Sequence, residues 1–193
     1  MANNPKILVF AGSARTGSFS KKLASIAAGF VGTAGANVTL IDLADHRLQM
    51  YDGDIEVSHG VPEDVKALRK VFMAQDGFIM VSPEYNSSIS PLLKNTVDWV
   101  SRADGNDPQL VAFRGKAAGL LATSPSALGG LRGLVHLRSI LANIGMHVVP
   151  QQHAIPNAHD TLASGNSLAA ANHAAAVKSV AEATVHLASA LRG

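Results

Sequence analysis

Short apolar runs alternate along this chain with longer segments whose apolar residues recur every three or four positions. The first pattern predicts buried strands, and the second predicts helices with one buried face. The predicted strands are Lys6–Ala11, Asn37–Asp42, Gly77–Ser82, Ala117–Thr123 and 147–149. The predicted helices cover 18–31, 62–74, 91–103, 130–144 and 167–191, and Asn166 or Ser167 is the candidate cap of the last one.

Five such β-α units predict a parallel sheet with helices on both faces, because continuous apolar runs suit strands that are buried on both sides. The chain has 193 residues, which is enough for one domain over 1–193 with a sizeable core. In open sheets of this kind, ligands bind beyond the carboxyl ends of the strands. Three loops lie at that edge, over 12–20, 83–90 and 124–130. We expect the functional residues in these loops.

The amino-acid composition limits the classes of partner and the location that we expect for this protein. Hydrophobic residues make up 47% of the chain and charged residues 16%, which predicts a doubly covered sheet, surface buried between subunits, or both. The net charge is +2, and the Lys and Arg residues are scattered, so nucleic acid is not an expected partner. No apolar run reaches the length of a membrane span and the N-terminus has no signal-peptide pattern, so we expect no membrane partner and a cytoplasmic location.

Metal and thiol chemistry are not expected. The chain has no cysteine, so any redox activity needs a cofactor that carries the electrons. Its eight histidines show neither of the spacings typical of zinc sites, H-x-H and H-E-x-x-H. We therefore predict no metal site.

The first loop has the residue types of an anion site. It lies between a strand and a helix start, where backbone N–H groups and the helix dipole favour negative charge. Its spacing from Gly12 to Gly17 is that of a nucleoside-triphosphate loop, but Ser18-Phe19 replaces the required Lys-Ser or Lys-Thr, and the glycine fingerprint for dinucleotides is absent. A single phosphate is the predicted ligand, and a turn that only caps the helix is the alternative. The polar candidates are Ser13, Arg15, Thr16, Ser18 and Ser20.

The second loop suits a planar heterocycle. It reads Ser82-Pro83-Glu84-Tyr85-Asn86 and continues through Ser90-Pro91. The Tyr85 ring offers an aromatic face, and Asn86 offers an amide to polar ring atoms. An ordinary turn explains the same residues equally well.

The first two loops together resemble those of the NADPH-dependent FMN reductase family, which comprises flavodoxin-like quinone, chromate and azo-dye reductases. The resemblance rests on Gly12-Ser13-x-Arg15-x-x-Ser18 and on the second loop. The helix that follows, Pro91-Leu92-Leu93-Lys94-Asn95-x-x-Asp98-Trp99, matches as well, and the third loop, over 124–130, is similar to the small-residue segment that lies at the flavin.

This resemblance implies a flavodoxin-like three-layer sandwich, with a five-stranded parallel sheet between two layers of helices. It also implies an FMN enzyme that takes a hydride from NADPH or NADH and passes it by ping-pong to a small acceptor. Quinones, azo compounds, metal oxyanions and free flavin all suit an open flavin face. A homodimer or homotetramer is implied too. No catalytic side chain is predicted, because the flavin carries the chemistry.

Residue by residue, the resemblance places the FMN phosphate in the first loop, the isoalloxazine ring and ribityl chain at the second, and the other side of the ring at the third. Glu84 has an alternative role facing a neighbouring subunit. The predicted cofactor-binding residues are Ser13, Arg15, Ser18, Phe19, Ser20, Pro83, Glu84, Tyr85, Asn86, Ser124 and Gly129.

Two other functions remain open. One is a flavodoxin-type electron carrier that binds FMN without catalysis. Such carriers usually have a strongly acidic docking face and a Thr-rich phosphate loop, whereas this chain has a net charge of +2 and a loop of Ser and Arg. The other is a flavin-free α/β domain that binds or hydrolyses a different ligand.

Overall fold

A computed structural model of the protein describes residues 4–46, 48–162 and 167–192. In chain order its elements are β1 (Lys6–Ala11), α1 (Phe19–Thr33), β2 (Asn37–Asp42), α2 (Gly53–His59), α3 (Glu63–Met73), β3 (Gly77–Ser82), β4 (Glu84–Tyr85), β5 (Ser88–Ile89), α4 (Pro91–Val100), β6 (Ala117–Thr123), α5 (Leu131–Asn143), β7 (His147–Ile155), α6 (Ala158–Thr161) and α7 (Ala171–Leu191).

Five strands form the central sheet in the order β2-β1-β3-β6-β7, and every neighbouring pair is parallel. This confirms the predicted five-stranded parallel sheet. The chain leaves β1 for β2 on one side and then crosses to β3 on the other. The strand order therefore reverses next to β1, and the loops after β1 and β3 flank the switch point at which open α/β sheets bind ligands.

Hydrophobic side chains fill both faces of the sheet, because successive residues of a strand point to opposite sides. In β1, Ile7 and Val9 belong to a core shared with α1 and α7. Leu8 and Phe10 belong to a second core shared with α3, α4 and α5. All four side chains are fully buried, so the sheet lies between two helical layers, as in the predicted three-layer sandwich.

Three boundaries differ from the prediction by about three residues or more, whereas the other helix ends shift by one or two. The last strand continues past 149 to Ile155, because an edge strand with irregular pairing tolerates Pro150. Helix α4 ends at Val100 instead of 103, since the chain turns there and Leu110 N–H donates to the Ser101 carbonyl. Helix α7 begins at Ala171, so Ser167 does not cap it, and Asn166 lies outside the described residues.

The sequence pattern missed the small elements, namely α2, α6 and the β4–β5 hairpin within the second loop. Each is too short for a hydrophobic period to be visible. Among the described helices, none combines the length and the hydrophobicity that crossing a bilayer requires.

Candidate functional site

The first loop packs tightly against the start of α4. A Cβ atom on Gly12 would lie 2.8 Å from the Cβ of Leu93, so only glycine permits this approach. The Ser90 hydroxyl donates to the Gly12 carbonyl at 2.6 Å and accepts from the N–H of Leu93, which makes Ser90 the N-cap of α4. Sequence reasoning did not propose Ser90 as a site residue, although Ser before Pro91 is a typical helix start.

Two loop hydroxyls stabilise the loop itself. Ser18 is the N-cap of α1, and its hydroxyl lies 3.4 Å from the N–H of Lys21. Ser13 Oγ lies 3.4 Å from the N–H of Arg15, and both serines are buried. The helix-capping alternative is therefore correct for Ser18, but it accounts for only part of the loop.

Other donors of the first loop have no hydrogen-bond partner among the described residues. In the part of the chain that the structure describes, no acceptor is hydrogen-bonded to the N–H groups of Phe19 and Ser20 or to the Ser20 hydroxyl. Ser20 is 3% exposed, and the N–H groups in the first turn of a helix have no partner within that helix, so they are free to donate to a ligand. Within the described residues the exposed Arg15 guanidinium is likewise unpaired. This donor set fits a phosphate group.

The side chain of Phe19 faces away from this donor set. Its ring meets the His159 ring edge-on at a centroid distance of 5.0 Å, and Lys22 Nζ lies 5.5 Å from its centroid. Phe19 thus packs toward α6, and only its backbone N–H is available to the first loop.

The second loop folds as a two-strand hairpin. Tyr85 pairs with Ser88 across a two-residue turn in which Asn86 and Ser87 both have positive φ, 51° and 66°. Asn tolerates this conformation well. The structure therefore gives Asn86 a role in the turn, while Tyr85, 46% exposed, projects from the hairpin.

An open cavity of about 460 Å³ joins the first two loops. It is lined by residues 12–15, by Tyr85 and by residues 90–92 at the start of α4. The structure thus brings Ser13, Arg15 and Tyr85 together at the carboxyl edge of the sheet. The volume of this cavity is in the range of ordinary ligand sites.

The third loop does not line this cavity. Ser124 Oγ accepts from the N–H of Ser126 at 3.0 Å and so supports its own turn. Gly129 has φ 61°, and a Cβ there would lie 2.5 Å from the carbonyl carbon of Ile155. Glycine at 129 is therefore required by the packing of the loop on the end of β7.

The Glu84 carboxylate points at α5. Oε1 accepts from Nη2 and Nε of Arg132 at 2.7 and 3.0 Å, and Oε2 accepts from the N–H of Gly133 at 3.1 Å. Burial alone raises the pKa of Glu84, but the hydrogen bonds from Gly133 and Arg132 outweigh it and hold that pKa below its ordinary value. Glu84 remains ionised near neutral pH and does not line the cavity.

Solved structures confirm the fold. The flavoenzyme NAD(P)H:(acceptor) oxidoreductase from Paracoccus denitrificans superimposes with a TM-score of 0.79 at 24% identity, covering 95% of this chain and 97% of that one. A flavodoxin from the domain Archaea superimposes with a TM-score of 0.62 at 10% identity, covering 97% and 99%. The flavodoxin-like prediction is therefore correct.

Sequence comparison identifies the family. An NAD(P)H-dependent FMN reductase of Pseudomonas aeruginosa is 33% identical over 147 residues, which are 76% of this chain and 75% of that one. A quinone reductase of Escherichia coli K12 is 33% identical over 141 residues, 73% and 71% of the two chains. The sequence model of the family described as NADPH-dependent FMN reductase matches residues 5–160. The chain belongs to the NADPH-dependent FMN reductase family, as its loop motifs predict.

Proposed function

We propose that this protein is an FMN-dependent oxidoreductase that takes a hydride from NADPH or NADH and passes it by ping-pong to a small acceptor. The observation that carries the proposal is the set of unpaired donors at Phe19, Ser20 and Arg15, beside a cavity with Tyr85 at its rim. Membership in a family of FMN reductases supports the assignment of those donors to a flavin phosphate. Quinone reductases among the relatives support a quinone as the acceptor over azo compounds and metal oxyanions, and an NAD(P)H-dependent FMN reductase among them keeps free flavin as the second candidate.

In this proposal the first loop binds the phosphate. The N–H groups of Phe19 and Ser20 and the Ser20 hydroxyl donate to its oxygens, and Arg15 supplies positive charge and a forked pair of donors. Ser18 holds the helix start in place, and Ser13 holds Arg15 through its backbone. The phosphate thereby fixes one end of the cofactor.

The other two loops position the ring. By the family resemblance, Pro83, Tyr85 and Asn86 would lie along one side of the bound ring, and Ser124 and Gly129 along the other, although Tyr85 is the one of these five residues that lines the described cavity. Bound FMN supplies the hydride acceptor and donor. Because the cavity is open at Tyr85, the nicotinamide and the acceptor could use the same face of the bound ring one after the other, which supports the proposal of ping-pong kinetics.

Initial-rate kinetics test this scheme. With NADPH and a soluble benzoquinone varied together, we expect parallel double-reciprocal lines, because the donor product leaves before the acceptor binds. Converging lines would contradict the shared face and require both substrates to bind at once.

We also propose that residues 1–193 form one FMN-binding domain that assembles as a homodimer or homotetramer in the cytoplasm. Exposed apolar side chains support self-association, since Val57, Met50 and Val135 are 89%, 69% and 58% exposed. The proposed use of NADPH or NADH as electron donor supports the cytoplasmic location. Light scattering during gel filtration tests the assembly, and a mass of 20.0 kDa at every concentration would contradict it.

A further inference from the structure

We propose that Glu84 is a positioning residue that acts through Tyr85. Its carboxylate holds the β4–β5 hairpin on the first turn of α5 and so sets where the Tyr85 ring stands at the cavity. The inference deepens the proposed function, because it assigns to Glu84 a role in placing the flavin wall instead of contact with the flavin.

The Glu84 carboxylate has a geometry suited to holding the hairpin on α5. Both of its oxygens are used, one by the forked guanidinium of Arg132 and the other by the Gly133 N–H. The side chain of Glu84 is 8% exposed, whereas that of Arg132 is 56% exposed. The N–H groups in the first turn of a helix have no partner within that helix. A buried carboxylate therefore satisfies one of them and gains from the helix dipole.

Helix α5 also packs closely against the hairpin. A Cβ on Gly133 would lie 3.2 Å from the Ser88 carbonyl oxygen and 3.6 Å from the Glu84 Cβ. One turn further on, His136 Nδ1 lies 2.9 Å from Ser88 Oγ. Helix α5 thus holds both strands of the hairpin, β4 through Glu84 and β5 through Ser88.

The hairpin depends on this support from α5. It contains only two residue pairs, Glu84 with Ile89 and Tyr85 with Ser88, and an isolated two-stranded hairpin is marginal in water. Tyr85 directly follows Glu84, so a shift of β4 on α5 moves the aromatic ring. Because α5 begins directly after the third loop, the same contacts fix the spacing of the second and third loops.

A double-mutant cycle tests whether Glu84 acts through Tyr85. With the protein saturated with FMN, we expect Glu84→Gln to slow the anaerobic reduction of the bound FMN by NADPH about tenfold. The substitution removes the negative charge that accepts from Arg132 and Gly133, and it thereby displaces the Tyr85 ring. In a Tyr85→Ala background, Glu84→Gln should slow reduction less than about twofold. Equal slowing in both backgrounds would overturn the proposal.

Two further variants test whether the slower reduction comes specifically from the Glu84 contacts. Arg132→Gln changes an exposed side chain, keeps the fold, and should slow reduction in the same Tyr85-dependent way. Glu63→Gln breaks an exposed ion pair with Lys66 on α3 and should leave the rate unchanged. A normal rate in Arg132→Gln, or a rate in Glu63→Gln as low as that of Glu84→Gln, would count against the inference.

Hydrogen exchange of the flavin-free protein separates this inference from the proposed function. We expect Glu84→Gln to speed amide exchange in residues 83–90 at least tenfold, with little change in β1. If NADPH fails to reduce the wild-type protein, the proposed function is wrong, and the exchange data still decide whether Glu84 holds the hairpin. Unchanged exchange in residues 83–90 would overturn the inference.

Discussion

Arg15 illustrates how the first loop distinguishes a phosphate from other groups. Its guanidinium has no acidic partner in the described structure and is exposed, so it contributes little to folding. We expect Arg15→Gln to weaken FMN binding about 10- to 100-fold, in line with the loss of a charge-assisted hydrogen bond. The thermal midpoint of unfolding should stay nearly constant. Fluorescence titration with FMN measures the change.

Riboflavin provides the control for Arg15, because it has the flavin ring but no phosphate. Its affinity should be the same for wild type and Arg15→Gln. A second control, Lys178→Gln, removes an equal charge from an exposed position on α7 and should leave FMN binding unaltered. An equal loss of riboflavin affinity would show that Arg15 acts on the ring or on the loop conformation.

Ser87 is a point of backbone strain at the tip of the hairpin. Its φ of 66° lies in the left-handed region, which costs a residue with a Cβ about 1–2 kcal/mol. Glycine removes this cost but loses more chain entropy on folding. We expect Ser87→Gly to raise the free energy of unfolding by about 0.5–1 kcal/mol, measured by urea denaturation. Ser58→Gly, within α2, should instead lower the free energy of unfolding, because glycine is a poor helix former. A lower free energy of unfolding in both variants would contradict the strain at Ser87.

At the scale of elements, the sequence predicts what a local pattern encodes. Strands β1, β2, β3 and β6 have the predicted bounds to the residue, because β1, β3 and β6 are apolar runs between turn residues and β2 is rich in the β-branched residues that favour strands. Strand β7 was predicted too short, since Pro150 and the polar residues after it break the run. Only the position of β7 at the sheet edge, which depends on the whole topology, explains why these residues still form a strand.

A histidine pair links two of these elements. His153 Nε2 on β7 and His173 Nδ1 on α7 are hydrogen-bonded at 2.9 Å. Burial lowers the pKa of His153, and the charge of His173 lowers it further. The folded state therefore binds a proton at His153 less readily than the unfolded state, whose histidines titrate near pH ~6.5.

Stability should consequently decrease on acidification. Above pH ~6.5 the contribution of His153 is fully present, and it is lost as the pH falls below that value, by at most about 1.4 kcal/mol per pH unit. Urea denaturation between pH 8 and pH 5 measures the slope. His153→Asn should make the slope shallower, and equal slopes in the two proteins would contradict the role of the pair.

At the scale of the whole molecule, the sequence predicts that the three loops lie at one edge of the sheet, but it does not predict which residues contact one another there. The three loops could be assigned to one edge because parallel strands place their carboxyl ends together. The contacts of Ser90 with Gly12, of Glu84 with α5 and of Phe19 with His159 join residues far apart in the chain. No local spacing encodes such contacts, because they arise only when helices and loops pack on the finished sheet.

In the proposed function, the first and second loops together bind a flavin that reduced nicotinamide can reduce. The most direct test is the visible spectrum of the purified protein after incubation with FMN and removal of the excess. We expect bands near ~370 and ~450 nm that NADPH bleaches without air. Bands that neither NADPH nor NADH bleaches would indicate an electron carrier, and a colourless protein would contradict the flavin site itself.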